Sequence, residues 1–338
     1  MGSAAFKRLS FIHAVPLTAH LELTYRCTWR CGFCSSPRRH DLDPLPIERW
    51  LGVLDGLREL GTMTVIFTGG EPLAHPRWLE LARAARSREL AIRVFTNGSL
   101  VDDSAADSLA ELLPLSVELS LHGGCAATHD GTTGVAGSFE DLLAAVKRLQ
   151  TRGVAVALKT PITRWNVTEI DDVIALAESL SAPLRLDPEI HPRDDGDPAP
   201  LAWAAGCDQV RRLLAGPVAI GALPEVERRP DEAVCGVGRV TVAVDPEGTV
   251  WPCVMWRHEA LGSVRETPIA ELWRTSPVRR EAADAAVRAN RRLLELGGPV
   301  ARLPFCPADA ARRTGDPCAI TPGHLALAET AAAPRSAG

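Results

Sequence analysis

The sequence has no basic tract and no long apolar run, and both absences narrow its function. Its 338 residues carry a net charge of −5 and an isoelectric point near 6.0, which gives no indication of a nucleic-acid partner. No window contains the roughly 18 apolar residues of a membrane-spanning helix, and the first residues lack the apolar core of a secretory signal. We therefore expect a cytoplasmic protein whose partners are neither nucleic acid nor membrane.

Apolar residues and cysteines are what the chain does have. Apolar residues make up 46%, enough for a large core, and the length allows one large domain with an extension, or two domains. The nine cysteines are at positions 27, 31, 34, 125, 207, 235, 253, 306 and 318. In a reducing compartment, cysteines indicate metal ligands before disulfides. Only Cys125 and Cys207 fall outside recognisable spacings, and we expect them to be small buried apolar residues.

Three cysteines lie within the eight residues 27–34, as Cys27, Cys31 and Cys34, with the spacing CX3CX2C. Cysteines this close can turn their sulfurs toward one metal centre. Three thiolates, however, are one fewer than a cubane iron–sulfur cluster or a structural zinc normally takes. Either a distant cysteine supplies the fourth ligand, or one iron is open to a substrate or cofactor. The alternatives are a zinc knuckle, for which paired CX2C spacings are more usual, and three buried free thiols.

Short apolar runs alternate with amphipathic stretches from about residue 20 to residue 190. β-branched or apolar runs bounded by Gly, Pro, Asn or Ser predict strands. The runs are 20–24, 64–68, 91–96, 115–120, 154–160 and 184–187. Apolar residues that recur at i, i+3, i+4 and i+7 predict helices. These stretches are 47–60, 77–89, 102–112, 138–151 and 168–180. The alternation predicts a parallel sheet with right-handed crossovers.

A Gly-Gly-Glu-Pro segment at 69–72 follows the second predicted strand, just as the cysteine loop follows the first. This combination resembles the radical S-adenosylmethionine (SAM) superfamily. The resemblance implies an α/β fold, a partial (β/α)6 barrel of the TIM type, with chemistry at the C-terminal ends of the strands. It also implies that Cys27, Cys31 and Cys34 bind three irons of a [4Fe–4S] cluster and that SAM chelates the fourth. Reduced cluster would then cleave SAM to a 5′-deoxyadenosyl radical, which abstracts a substrate hydrogen.

Other strand ends also match this family. By the resemblance, the residues that hold SAM are Gly69, Gly70, Glu71, Asn97, Ser120 and Asn166. The two glycines would let backbone groups approach the ligand closely. Glu71 would fix its own loop, or the cysteine loop, by accepting hydrogen bonds. Ordinary strand-ending turns remain the alternative for the glycines, and plain loop positions for Asn97 and Asn166.

Two positions depart from the family pattern. His122 stands where relatives often carry Asp, and it is either a histidine satisfied within the fold or a proton acceptor near the substrate. Residues 131–133 stand where relatives often carry an Arg after His-Asp, so a SAM contact from that Arg is not expected. The sequence assigns no single acid or base. The candidates for catalysis are His122, Cys125 and Cys207, with either cysteine a hydrogen donor only if it lines the cavity.

A second cysteine set begins with Cys235 and Cys253, which flank Gly248 in a CX12GX4C pattern. This pattern resembles the start of the SPASM and twitch extensions of radical SAM enzymes. Alternating strands around the turn at 245–248 predict a hairpin that brings the two cysteines together.

Cys306 and Cys318 complete the set, but a full SPASM extension has seven cysteines and this chain has four here. Asp309 stands where a CX2C partner of Cys306 would fall. The resemblance therefore implies a reduced, twitch-like extension with one second [4Fe–4S] cluster held by Cys235, Cys253, Cys306 and Cys318. A zinc site built from the same four thiolates is the alternative.

The chain divides into four predicted parts. They are an irregular N-terminal lead-in at 1–19, the radical SAM barrel at 20–216, the iron–sulfur extension at 235–320 and a flexible tail at 325–338. A helix around 200–215 and a linker at 216–232 are expected between barrel and extension, and a helix at about 277–296 within the extension.

The resemblance is to peptide-maturing radical SAM enzymes. It implies an oxidoreductase that abstracts a hydrogen from a ribosomally made peptide and forms a cross-link, a dehydrogenated residue or an inverted centre. An electron donor such as flavodoxin or ferredoxin would serve it. Because no peptide-recognition domain is visible, a separate small protein could bind the leader. Two alternatives stay open: radical oxidation of an aminoglycoside, sugar or tetrapyrrole side chain, and a non-enzymatic, zinc-stabilised binding protein.

Overall fold

The structure is a computed structural model, and its centre is a set of six parallel strands. It describes residues 3–37, 42–206, 208–210, 213, 228–302, 304–320 and 325. The strands are β1 (Thr18–Thr24), β2 (Thr64–Gly69), β3 (Ala91–Thr96), β4 (Ser116–Ser120), β5 (Val156–Pro161) and β6 (Leu184–Asp187). They lie side by side in chain order, each parallel to the next. All six predicted strands are confirmed, with ends that differ by at most two residues.

Helices connect these strands. They are α2 (Ile47–Glu59), α3 (Trp78–Ser87), α4 (Asp103–Leu112), α5 (Ala126–Thr133), α6 (Ser138–Thr151) and α7 (Ile170–Ser179). The five predicted helices are confirmed, and α5 was not predicted because its sequence has no apolar period. The prediction that the lead-in at 1–19 is irregular was wrong, because Ser3–Ile12 forms helix α1. That segment has no Gly or Pro to interrupt a helix, and its exposed apolar residues gave no sign of a buried face.

One face of the sheet is apolar and carries the helices. Alternate strand residues such as Leu21, Val94 and Leu119 pack there with helix residues in one buried core. Because side chains alternate along a strand, the residues between them face the other way. This inner face, defined as the face away from the helices, is polar and carries His20, Glu22, Phe95, Glu118 and Lys159. Within the described residues the sheet ends at β6 and does not close, as a partial barrel requires.

The C-terminal extension joins the same sheet. Strand β7 (Thr241–Val244) pairs in parallel with β1, β8 (Thr249–Trp251) returns antiparallel to β7, and β9 (Gly262–Ser263) pairs with β8. The predicted hairpin is thus confirmed, with Gly248 at a φ of 92° in its turn, a conformation that favours glycine. The sheet runs unbroken from barrel to extension, so the domain limits 20–216 and 235–320 stay predictions.

Three helices complete the extension: α8 (Ile269–Thr275), α9 (Pro277–Leu296) and α10 (Pro307–Thr314). The predicted helix at 277–296 is α9. Between β6 and residue 207 runs a segment that we call the bridging loop, residues 188–206, with a 3-10 helix at Ala199–Trp203. Of the helix predicted around 200–215, the described residues show the 3-10 helix at Ala199–Trp203 and α-helical conformation at 208–210 and 213. Most of the 216–232 linker and nearly all of the tail fall outside the described residues. Among the helices that are described, none has the length and apolarity to cross a membrane.

Candidate functional site

The cysteine loop leaves the C-terminal end of β1. Cys27 is exposed, Cys31 and Cys34 are half-buried, and all three are free of disulfides. The Sγ atom of Cys27 accepts hydrogen bonds from the backbone N–H of Trp29, at 3.4 Å, and from Nδ2 of Asn97, at 3.6 Å. Burial raises the pKa of the Cys27 thiol to about 11, although these two hydrogen bonds lower it.

The Gly-Gly-Glu segment packs its backbone against the start of this loop. The N–H of Gly70 donates to the carbonyl of Thr24 at 2.7 Å, and that of Glu71 to the carbonyl of Arg26 at 2.8 Å. A Cβ on Gly70 would lie 2.4 Å from the Arg26 oxygen, and Gly69 has a φ of 121°. Only glycine fits this close approach, so both glycines serve the loop itself, whatever ligand they also meet.

Glu71 ties the end of β2 to the end of β3. Its side chain is fully buried, and one oxygen accepts from the N–H of Leu73 at 3.1 Å and the hydroxyl of Thr96 at 2.7 Å. The other oxygen accepts from the N–H of Asn97 at 2.8 Å. Burial raises the pKa of Glu71 to about 7 although these hydrogen bonds lower it. Of the two roles expected for Glu71, it fixes its own loop.

Asn97 continues this connection to the cysteine loop. Its Nδ2 donates to the hydroxyl of Thr28 at 2.8 Å as well as to Cys27, and its Oδ1 accepts from the N–H and hydroxyl of Ser99 at 2.9 and 2.7 Å. The C-terminal ends of β1, β2 and β3 therefore meet around one cysteine.

Ser120 and Asn166 lie at the ends of β4 and β5. Ser120 is half-buried, and its hydroxyl bonds to none of the described residues. Asn166 is fully buried: its Oδ1 accepts from the N–H of Thr163 at 2.7 Å, and its Nδ2 donates to the carbonyls of His122 and Pro161 at 3.0 and 2.9 Å. Its amide thus joins two strand ends, while Ser120 is open to a ligand.

His122 lies beneath the cysteine loop. Its ring stacks on that of His129 at 5.5 Å and meets the rings of Trp29 and Phe33 edge-on at 5.6 and 4.9 Å. Burial, and then the neighbouring His129, lower the pKa of His122 to about 3, so the ring is neutral near pH 7. The ring packs among aromatic side chains, yet its buried Nδ1 has no hydrogen-bond partner in the described part of the chain, so His122 is not the satisfied histidine of the first alternative. A catalytic role for it stays a prediction.

The other two catalytic candidates gain little support. Cys125 is exposed just before α5, with its Sγ 3.7 Å from the hydroxyl of Thr128, so the expectation of a buried residue was wrong. The position in a loop, between β4 and the unpredicted α5, explains the exposure. Cys207 lies outside the described residues.

In the extension, Cys235, Cys253 and Cys306 pack in one cluster with buried apolar residues such as Trp256. Each sulfur accepts backbone N–H groups, from Val237, from Met255 and Trp256, and from Asp309, respectively. Burial raises the pKa of the Cys235 thiol to about 12. Cys318 packs instead in the adjacent apolar cluster with Leu293 and Phe305, beside Arg288 and Asp316.

Asp309 is not placed to bind a metal. Its carboxylate accepts from Nδ1 of His191 and Nε of Arg313, both at 2.6 Å, and only its N–H reaches Cys306 Sγ, at 3.5 Å. No sequence pattern pointed to this role, because His191 comes from the distant bridging loop.

Unbridged thiols supported by N–H groups are a donor set that fits iron–sulfur clusters. Among the described residues, no three His, Cys, Asp or Glu side chains converge tightly enough to hold a single metal ion. A cluster of several irons holds its cysteine sulfurs further apart, so the spread sets suit it.

Two family models match the chain. The radical SAM superfamily model matches residues 21–178, and a model described as SPASM, an iron–sulfur cluster-binding domain, matches residues 235–296. The first match includes the cysteine loop and the Gly-Gly-Glu segment. The second includes Cys235 and Cys253.

Curated relatives agree with these matches. The chain is 29% identical over 291 residues to mycofactocin maturase MftC of Mycobacterium ulcerans, covering 79% of this chain and 76% of that protein. It is 27% identical over 282 residues to PqqA peptide cyclase of Gluconobacter oxydans, covering 78% of each.

Solved structures share the fold. Streptococcus suis SuiB bound to precursor peptide SuiA aligns with a TM-score of 0.66 at 16% identity, over 82% of this chain and 68% of that one. The protein anSMEcpe with bound SAM aligns with a TM-score of 0.63 at 17% identity, over 80% of this chain and 81% of that one. The non-enzymatic alternative is wrong, because the family matches and the relatives named as a maturase and a peptide cyclase indicate an enzyme. With its cysteine loop, its partial barrel and its second cysteine set all in place, this chain has a radical SAM domain at residues 21–178 and a SPASM iron–sulfur domain at 235–296, and enzymes of this kind use SAM and [4Fe–4S] clusters.

Proposed function

We propose that this enzyme matures a ribosomally made peptide by abstracting one of its hydrogen atoms. The observation that carries the proposal is the meeting of three strand ends around Cys27, through Gly70, Glu71 and Asn97. When bound, SAM and the cluster supply the radical that removes the hydrogen. The protein holds these groups in place and keeps water away.

Each residue at this site has a proposed task. Cys27, Cys31 and Cys34 hold three irons and leave one for SAM. Ser120, whose hydroxyl has no partner among the described residues, donates to SAM. Asn97 orients the cysteine loop, and Asn166 orients the ends of β4 and β5 without touching SAM itself.

In the extension, we propose that Cys235, Cys253 and Cys306 are ligands of a second cluster, because they share one buried apolar cluster. Cys318 is the weaker fourth ligand, since it packs elsewhere. The second cluster would accept or deliver an electron, and an external donor such as flavodoxin or ferredoxin would reduce the enzyme.

Two features support a peptide substrate. The relatives are named as a maturase and a peptide cyclase. The inner face of the sheet also offers polar partners for a peptide backbone: Glu118 pairs with Lys159 at 2.7 Å and with Arg93 at 3.3 Å, and Lys159 lies 3.0 Å from the centre of the Phe95 ring. A separate small protein would present the leader.

The test begins with short reading frames beside the gene. Their peptides are synthesised with deuterium at each residue in turn and incubated with anaerobically reconstituted enzyme, SAM and dithionite. We expect deuterium in 5′-deoxyadenosine and a mass change in one peptide, and neither with Cys31→Ala. Transfer only from an aminoglycoside, sugar or tetrapyrrole would contradict the proposal.

A further inference from the structure

The bridging loop contacts the cysteine loop at three points. The ring of Trp203 lies against Gly32, where a Cβ would come within 1.9 Å of it. Nη1 of the buried Arg193 donates to the carbonyl of Cys34 at 3.0 Å. The N–H of Asp194 donates to the carbonyl of Ser35 at 2.8 Å. The loop thus fixes the half of the cysteine motif that contains Cys31 and Cys34.

The same loop also contacts the extension, through hydrogen bonds and ion pairs. Nη2 of Arg312 donates to the carbonyl of Pro192 at 2.5 Å and to Oδ1 of Asp194 at 3.0 Å. His191 pairs with Asp309 at 2.6 Å, and the N–H of Asp309 reaches the sulfur of Cys306. One segment therefore touches the surroundings of both cysteine sites.

A buried set of charges joins these contacts. Arg257, four residues after Cys253, has a side chain 2% exposed; it pairs with Glu22 of β1, and its Nε lies 3.6 Å from Oδ2 of Asp194. Two carboxylates, Glu22 and Asp194, face two guanidinium groups, Arg257 and Arg312. Removing one member would leave another charge buried without its partner, which is strongly unfavourable, so the set favours one relative position of the four segments that carry it.

We propose that the bridging loop couples the two cysteine sites, so that the state of the extension site sets the affinity for SAM at the cysteine loop. Arg312, Asp194 and Arg193 are its positioning residues, and none is assigned a contact with SAM or an iron. The proposal rests on the SAM-binding part of the proposed function but not on the peptide. Coupling of this kind is reciprocal, so SAM also stabilises the extension site.

The first test measures SAM affinity, by equilibrium dialysis and by the change that SAM causes in the electron paramagnetic resonance spectrum of the reduced cluster. Arg312→Gln removes the charge that faces Asp194, and we expect about tenfold weaker SAM binding, within the usual range of coupling. Arg312→Lys keeps the charge and should restore part of the affinity. The control is Arg274→Gln, which breaks a surface pair with Glu59 whose side chains are 54% and 58% exposed; it should leave affinity unchanged.

The second test is a double-mutant cycle. Cys306→Ser, which disturbs the extension site, should weaken SAM binding in the otherwise native enzyme but add little in the Arg312→Gln background. Additive effects, or an unchanged affinity in Arg312→Gln, would overturn the proposal. If Arg312→Gln does not fold, Trp203→Phe tests the other end of the loop by the same cycle. These readouts need no peptide, so failure to find a peptide substrate leaves them intact, whereas failure to bind SAM at all refutes the proposed function instead.

Discussion

The two cysteine sites are built in opposite ways. The first takes its three cysteines from the eight residues 27–34, at the end of β1, with Cys27 exposed. The second gathers the partly buried Cys235, Cys253 and Cys306 from three distant segments against one buried apolar cluster. The first site is therefore set by local sequence and has an exposed cysteine, whereas the second is assembled by tertiary structure. This difference agrees with the roles proposed above, admission of SAM at the first site and electron exchange at the second.

The contrast extends to what holds each site. Around the first, neighbouring strand ends supply uncharged hydrogen bonds and one buried carboxylate, Glu71. Around the second, ion pairs predominate, with Arg257, Arg312 and Asp309 all buried or nearly so. Removing a hydrogen bond between strand ends should therefore perturb SAM chemistry directly. Removing an ion pair should act indirectly, by shifting the segments that the pair holds together.

The largest expected difference is between Cys31 and Cys253. Cys31→Ala removes one of three ligands from the open cluster and should abolish 5′-deoxyadenosine formation, because the two thiolates that remain, Cys27 and Cys34, leave the cluster short of a ligand. Cys253→Ala should retain SAM cleavage without substrate at saturating SAM, because the coupling proposed above weakens SAM binding but leaves the three ligands of the open cluster in place. Both are measured by liquid chromatography of anaerobic reactions with dithionite. Equal loss in the two variants would mean that the sites are not separable.

The next difference lies within the second site. Cys306→Ala should lower the iron content from about eight to about four per chain, because it removes a ligand that packs with Cys235 and Cys253. Cys318→Ala should lower it less, since Cys318 packs in the neighbouring cluster. Iron and sulfide assays on reconstituted protein measure both. If Cys318→Ala loses as much iron as Cys306→Ala, the four-cysteine set expected from the sequence stands.

Local pattern predicted most of the fold. Each strand is a short apolar run with a turn residue at its end, so the extent of the run predicts the first and last residues of the strand. Helix α5 was not predicted because tertiary contacts stabilise it. His129 packs under the cysteine loop, and Asp130 accepts from the N–H groups of Gly137 and Phe139 at 2.7 and 2.9 Å. Helix α1 escaped because its apolar residues Phe6 and Ile12 are 45% and 55% exposed and show no core face.

The same division holds for the sites. The spacing of Cys27, Cys31 and Cys34 is local, so the sequence could predict the ligand set. The contacts of the bridging loop join residues such as Asp194 and Arg312, which are 118 positions apart. No spacing rule connects such residues, because their meeting depends on how the extension joins the sheet.

A smaller effect is expected at Gly32. Gly32→Ala would force the Trp203 ring aside and should destabilise the reconstituted protein by about 1–3 kcal/mol in urea unfolding. In a Trp203→Ala background the same change should cost little, since the ring is gone. The control is Gly52→Ala in α2, where a Cβ meets nothing within 4 Å and should stabilise the helix by about 0.5–1 kcal/mol. Equal costs of Gly32→Ala in both backgrounds would show that Trp203 does not occupy this space.

The smallest expected effect is on the pH dependence of the free energy of unfolding. It tests whether the surroundings of the first site are neutral, in contrast to the ionic surroundings of the second. His122 has its pKa lowered from 6.5 to about 3 by burial, so the unfolded chain takes up a proton at a pH where the folded chain does not. Its contribution to stability is complete above about pH 6.5 and is lost as the pH falls toward 3. Glu71 acts in the opposite sense, since its pKa is raised to about 7 and its contribution is lost as the pH rises from about 4.5 to 7.

His122→Phe isolates the histidine because it keeps an aromatic ring in contact with Trp29 and Phe33 but removes the titration. Between pH 6.5 and 5, the free energy of unfolding of the wild type should fall more steeply than that of the variant, by at most about 1.4 kcal/mol per pH unit. His13→Phe, at an exposed histidine, controls for the loss of an imidazole. A buried neutral ring beneath the cysteine loop must make the two curves diverge. Parallel curves for wild type and His122→Phe would therefore place His122 in contact with solvent, and the surroundings of the first site would then not differ from those of the second.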